Sequence, residues 1–180
     1  MKKKWKVAMS RSQVGFNLYH LNIPKIVGQL ELFSGYVLQT NPDGFQDASF
    51  RLQAKASSVN TRNQERDSKL CSPEFLDVGN HPDIVFVSNR IVQIDPTHYI
   101  IKGNLSITGI SKFASLTAHL GSTANDQNGP TKIVFEITGQ LLSTDYGMQW
   151  YEETPEGTQT WSHVVSLHMF LELVPEEPFE

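Results

Sequence analysis

Six histidines, one cysteine and the adjacent pair Arg66–Asp67 are the most chemically versatile side chains of this 180-residue chain. His20, His81, His98, His119, His163 and His168 are scattered, and none stands at ligand spacing with a carboxylate in a tight cluster. Metal binding needs such a cluster, so neither a metal nor a cofactor is expected. There is no Gly-x-Ser-x-Gly elbow to expose a nucleophilic serine, and no glycine-rich loop to cradle a phosphate. Cys71 is the sole cysteine, which rules out an intrachain disulfide. It reads as a small, half-buried residue; a reactive thiol would need a nearby cation, and Arg66 and Lys69 are close in sequence. Most Asp and Glu residues fall on polar faces or turns, so no converging acid–base pair is visible and no catalytic residue is expected.

Where reactive groups are sparse, apolar rows are not. Phe50, Leu52, Ala54 and Ala56 interleave with Arg51, Gln53, Lys55 and Ser57. Tyr99, Ile101, Gly103, Leu105 and Ile107 interleave mostly with polar residues, and Ile133, Phe135 and Ile137 with Lys132, Val134 and Glu136. A period of two puts one side-chain set on each face of a sheet. One apolar and one wet face is the pattern of an antiparallel sheet closed around its own interior. That interior is either packed solid or open to an apolar guest.

The elements that must position these rows are eight candidate strands: 13–21, 25–38, 48–59, 84–94, 98–107, 113–120, 132–142 and 163–174. Eight strands suffice to close a small barrel. Turn signals separate them: Asn41–Gly44 (NPDG), the hairpin-like Ile94–His98 (IDPTH) and a flexible polar loop at Ser122–Pro130. Between Asn60 and Pro82 the alternation breaks, and a short helix near Arg62–Leu70 is expected, with Glu65 and Lys69 at ion-pair spacing. Such an excursion would cap one mouth of the barrel. Arg66 and Asp67, being adjacent, point in different directions on a helix. Two roles stay open for Arg66: anchoring the excursion, or holding a phosphate or carboxylate head.

Composition agrees with a globular fold: 39% hydrophobic, 19% charged. A formal charge of −4 favours no nucleic-acid partner. Lys2, Lys3 and Lys4 are not followed by an apolar h-region, and no stretch approaches a membrane span, so the chain reads as soluble and cytoplasmic. No linker or repeat divides it. One domain spans 1–180, with its core at about 5–174 and an acidic tail at 175–180.

Several blocks together resemble the YceI family of lipocalin-like, polyisoprenoid-binding proteins. They are Ser12–Leu21 (SQVGFNLYHL), Val27–Val37 (VGQLELFSGYV), Ser57–Ser88, Ile101–Ser111 (IKGNLSITGIS) and Ser143–Met148 (STDYGM). The 57–88 block is the most specific, through Asn60-Thr61, Arg66-Asp67, Leu70, Phe75, Pro82, Phe86 and Ser88. Two positions depart from the family pattern: Ala8 stands where Asp is frequent, and Ser143 where Arg is common. The resemblance implies an all-β, up-and-down antiparallel eight-stranded lipocalin-like barrel with a short helical insertion. It also implies a long apolar pocket for a polyisoprenoid, quinone-tail or fatty-acid-like lipid. Family members are often periplasmic.

The expected pocket wall is Val14, Phe16, Leu18, Leu30, Leu32, Phe50, Leu52, Ile84, Phe86, Ile101, Leu105, Ile133, Phe135 and Ile137. Burying a hydrocarbon tail there would gain about 0.8 kcal/mol per methylene. His20 shares the face of Val14, Phe16 and Leu18, so it is either a satisfied core histidine or a head-group contact, with Arg66 the second candidate contact. An enzyme acting on a lipid precursor, or a solid-core scaffold, are the alternatives. Homodimerisation through an outer face stays open.

Overall fold

The structure is a computed structural model. It describes the backbone of residues 2–20, 23–127, 129–149, 151–160 and 163–176; within these, side chains are described for all but 20, 23–25, 126, 129–130, 151–154 and 158–160. The strands are β1 (Lys3–Val7), β2 (Gln13–His20), β3 (Ile23–Leu30), β4 (Phe33–Gln39), β5 (Ser49–Lys55), β6 (Val59–Asn60), β7 (Asp83–Gln93), β8 (His98–Ile107), β9 (Ile110–Asp126), β10 (Gly129–Leu142), β11 (Tyr151–Thr154), β12 (Gly157–Thr160) and β13 (Val164–Pro175). One helix, α1 (Gln64–Cys71), lies between β6 and β7.

Twelve of these elements reduce to eight staves plus the helix. β1 and β2 form the first stave, broken by a 3-10 turn at Met9–Arg11. β3 and β4 form the second, broken at Glu31–Leu32, and β5 and β6 the third, broken by a 3-10 turn at Ala56–Ser58. β7, β8, β9, β10 and β13 are the remaining five. Each stave pairs antiparallel with the next, and β13 closes the ring by pairing with β1 (Trp5↔Pro175) and β2 (Leu18↔Val165). This is the expected closed up-and-down barrel, and closure removes the free sheet edges. β11 and β12 form a separate hairpin between β10 and β13 that the alternation does not signal.

Residues around the breaks supply the hydrogen bonds that the ladder loses there. Leu32 N donates to Ser58 Oγ (3.0 Å), and Ser58 Oγ donates to Lys55 O (2.7 Å). The break in the second stave has a consequence for alternation. Leu30 packs against the core and Phe33 is buried, an odd spacing that turns Leu32 outward, 53% exposed. Leu32 is therefore corrected: it is not part of the inner wall, because a bulge of this kind flips the side-chain parity.

Other expectations shift at their boundaries. The first stave starts at Lys3, not Gln13; Trp5 and Val7 point in while Lys4 and Lys6 point out. The segment Ser122–Pro130 is mostly ladder, since β9 runs to Asp126 and β10 starts at Gly129. Asn41–Gly44 is a turn, with Gly44 N donating to Asn41 O (3.4 Å). At Ile94–His98 the hairpin closes through Ile94 N to His98 O (2.8 Å), and the Asp95 carboxylate accepts from Thr97 N and His98 N (both 2.9 Å). These bonds, led by Thr97 N, hold the Asp95 pKa down at about 2.

α1 starts at Gln64 because Asn63 caps it, its Oδ1 accepting from Arg66 N (2.9 Å). Thr61 Oγ1 donates to Asp67 Oδ1 (2.5 Å), and Thr61 N donates to the same oxygen (2.9 Å). Arg66 Nε donates to Thr61 Oγ1 (2.8 Å) and its guanidinium also reaches Thr61 O (2.9 Å). The helix is thereby tied to the end of β6, and Leu70, Phe75 and Leu76 are pressed into the barrel end. Among the described residues, no helix is long and apolar enough to cross a membrane.

The other end of the lumen is filled by rings. Phe45, carried in on the loop after β4, packs edge-on against Phe135 (5.1 Å) and Tyr99 (6.1 Å) and tilted against Trp5 (6.5 Å). Trp5 Nε1 donates to Gln39 Oε1 (2.9 Å), and Gln39 Nε2 donates to Gly44 O (3.0 Å), which fixes that loop.

The closure seam carries one buried carboxylate. Glu172 of β13 lies opposite the break in the first stave: Ala8 N donates to its carbonyl (2.8 Å) and its N donates to Ser12 Oγ (2.9 Å). Its carboxylate pairs with Arg11 and with Lys132 Nζ (3.3 Å). Burial alone pushes this carboxyl up, but the bonds from Arg11 and Lys132 outweigh it, and the net shift is downward. A lowered folded pKa means the stabilisation is full above the ordinary carboxylate range and is lost as pH falls through the lowered value. Glu172→Gln should cost about 1–2 kcal/mol at pH 7 and much less near pH 3, read from urea unfolding at both pH values. Asp67→Asn should cost about 1–3 kcal/mol and speed hydrogen exchange in α1 while leaving the β8–β9 amides protected.

Candidate functional site

The lumen holds two apolar spaces of unequal size. The larger, about 140 Å³, lies toward α1; the smaller, about 30 Å³, lies among the rings at the plugged end. An apolar cavity of about 150 Å³ stays dry and takes a benzene-sized guest. The larger space thus admits one group of that size as it stands. A longer chain needs side chains to move, and Met148 and Met169 in the wall are unbranched and adaptable.

The expected wall residues divide between these spaces. Val14, Phe16, Leu18, Leu30, Leu52, Ile84, Phe86 and Leu105 line the larger cavity, together with Ile107. Phe50, Ile101, Phe135 and Ile137 line the smaller void instead. Ile133 is buried without lining either space, and Leu32 faces outward. Phe50 and Phe86 touch across the divide, with ring centroids 5.9 Å apart. Val14, Phe16 and Leu18 of β2 and the odd residues of β8 face inward because the two-residue alternation holds over these stretches.

The sequence led to a helical excursion capping one mouth of the barrel, but not to the residues that it puts into the cavity wall. Leu70 and Leu76 roof it from the α1 segment, and Leu141, Ser143, Met148, Val165, Leu167 and Met169 complete its wall. The β13 members were readable from their alternation, which continues through Leu171 and Leu173. Ser143 carried no such signal: a small polar residue at a strand end reads as exposed, yet it has no exposed surface.

The head-group candidates fare differently. His20 ends β2, but its side chain lies outside the described residues. Arg66 is bonded to Thr61 and does not line the cavity. Among the described residues the cavity wall is aliphatic, aromatic or thioether, apart from Gly15 and Ser143. No described titratable side chain reaches it. Cys71 borders a separate surface groove, and burial, helped by the nearby Asp67, raises its pKa, so the thiol is not activated. His98 and His119 stack at 4.7 Å on the outer surface with Asp95 beside His98 (2.9 Å), but no group of three metal-ligating residues occurs among the described residues.

Comparison with known proteins agrees with this architecture. The YceI-like domain model matches residues 5–173. A UPF0312 protein of Yersinia enterocolitica is 28% identical over 135 residues, covering 75% of this chain and 69% of that protein. The crystal structure of the Campylobacter jejuni YceI protein, 28% identical, superposes with a TM-score of 0.73 over 91% of this chain and 92% of that one. A Saccharophagus degradans domain described as polyisoprenoid binding gives a TM-score of 0.70 over 96% and 98% of the two chains; at 10% identity it speaks to the fold alone. Since the family match runs from β1 through to β13 and takes in every stave, the chain belongs to the YceI-like domain family.

Proposed function

We propose that the chain binds a long amphiphilic lipid without covalent chemistry, seating its apolar chain in the α1-side half of the barrel. The lipid class is polyisoprenoid, quinone-tailed or fatty-acid-like, and the role is carriage, storage or sensing. The observation that carries this reading is the cavity of about 140 Å³ whose described wall is apolar apart from Ser143. Its walls are hydrogen-bonded strands, and its roof is Leu70 of α1 with Leu76 just beyond the helix. Desolvation supplies the affinity: each methylene taken from water contributes about 0.8 kcal/mol. The Saccharophagus domain, described as polyisoprenoid binding, shares this fold. Binding is favoured over catalysis because no described acid or base lines the space, and the hydroxyl of Ser143 has no base bonded to it.

The size of the cavity limits what it takes at rest. It holds the terminal segment of a chain, and the remainder must displace wall side chains or leave past the α1 roof. Native mass spectrometry of protein purified from lipid-rich cells should show a co-purifying lipid mass. Ala54→Phe, which puts a ring into the cavity, should abolish that mass at a stability cost of about 1–3 kcal/mol. Ile101→Val, in the plugged half, should cost about 1 kcal/mol and leave lipid uptake intact. Repeated absence of any lipid from the wild type would favour a solid scaffold, and a chemically altered lipid would favour an enzyme.

A further inference from the structure

Among the described residues, the wall of the larger cavity has one polar side chain, that of Ser143. Ser143 ends β10 with a relative exposure of 0%. Its backbone is fully bonded: N donates to His163 O (2.8 Å), and O accepts from Met148 N (3.1 Å). The residue lines the cavity, and its side-chain Oγ is buried without a hydrogen-bond partner. Buried hydroxyls are nearly always satisfied, so this one keeps the capacity to bond a polar group of a guest. A water is a poor one, since a buried water needs two to four polar neighbours and the described wall offers a single polar side chain. Beside Ser143, His163 Nδ1 is also buried and unpartnered. Ser143 continues the inward-facing row of Leu141 on β10.

The same wall argues against charge. No described Lys, Arg or His lines the cavity, and the guanidinium of Arg66 is bonded elsewhere. A phosphate or carboxylate drawn inside would be buried without a counter-charge, which is far costlier than burying a neutral carbonyl or hydroxyl. We infer that Ser143 recognises an uncharged oxygen function of the bound lipid, a carbonyl or hydroxyl of the quinone, ketone or alcohol class, inside the barrel at the β10–β13 end. This rests on the lipid-binding reading above and narrows its ligand to neutral polar ends.

Three probes with matched chains test it on the full, delipidated protein: hexadecane, 2-heptadecanone and hexadecyl phosphate, competed and read by native mass spectrometry. The ketone should bind tightest. Ser143→Ala should weaken ketone binding about five- to tenfold relative to hexadecane binding, the worth of one neutral hydrogen bond. Retained hexadecane binding shows that the variant is folded. The infrared carbonyl stretch of the bound ketone should sit at lower wavenumber in the wild type than in Ser143→Ala. Equal binding of ketone and hexadecane, or a preference for hexadecyl phosphate, would overturn the role of Ser143 while leaving lipid binding in place. Failure of all three probes would overturn the binding reading, and this inference with it.

Discussion

Closure of the ring rests on β13, whose one edge pairs with β10 and whose other edge must serve two strands, β1 and β2. The first stave is broken where it crosses this seam, and Glu172 spans the gap. Its backbone bonds Ala8 and Ser12, and its carboxylate gathers Arg11 and Lys132. A carboxylate this buried is tolerable only because two cations and the local ladder compensate it. If the seam opened, β1 and β13 would present unpaired edges and the lumen would meet water. Every apolar contact inside the barrel therefore depends on a junction that is itself polar.

Closure also explains why the interior is unevenly filled. Rings are concentrated at one end, where Phe45 enters from a loop and locks against Trp5, Tyr99 and Phe135. At the other end the wall side chains are mainly aliphatic, and the space they leave is roofed by Leu70 and Leu76. Strands cannot shorten to collapse this void, because their spacing is set by the ladder. A barrel with one packed and one hollow half has a rigid end that holds its shape and an end that can adapt. The roof hangs on Thr61, Arg66 and Asp67, so the polar residues of the α1 segment act on the cavity indirectly, by holding its lid.

Much of this was legible without coordinates. Alternation in 50–56, 99–107 and 133–137 predicted the facing of β5, β8 and β10, since a period of two has only one reading on a half-buried sheet. The same rule failed at Leu32, where a break between β3 and β4 reversed the parity, and it passed over Trp5 and Val7 because three lysines dominate that stretch. It placed Phe50, Ile101, Phe135 and Ile137 on the inner face, where they are. It could not tell that they border the plugged end rather than the main cavity, because that depends on Phe45 arriving from a loop.

Taken alone, the amino-acid order determined the facing of the unbroken strands, how many staves there are and that a helix interrupts them, because these follow from local periodicity, turn chemistry and capping. Only the tertiary structure decided where the lumen is full and where it is empty, and that the hydroxyl of Ser143 is sealed inside without a partner. Those outcomes depend on side chains from strands far apart in the chain meeting across a closed ring, and no local pattern encodes the volume left between them.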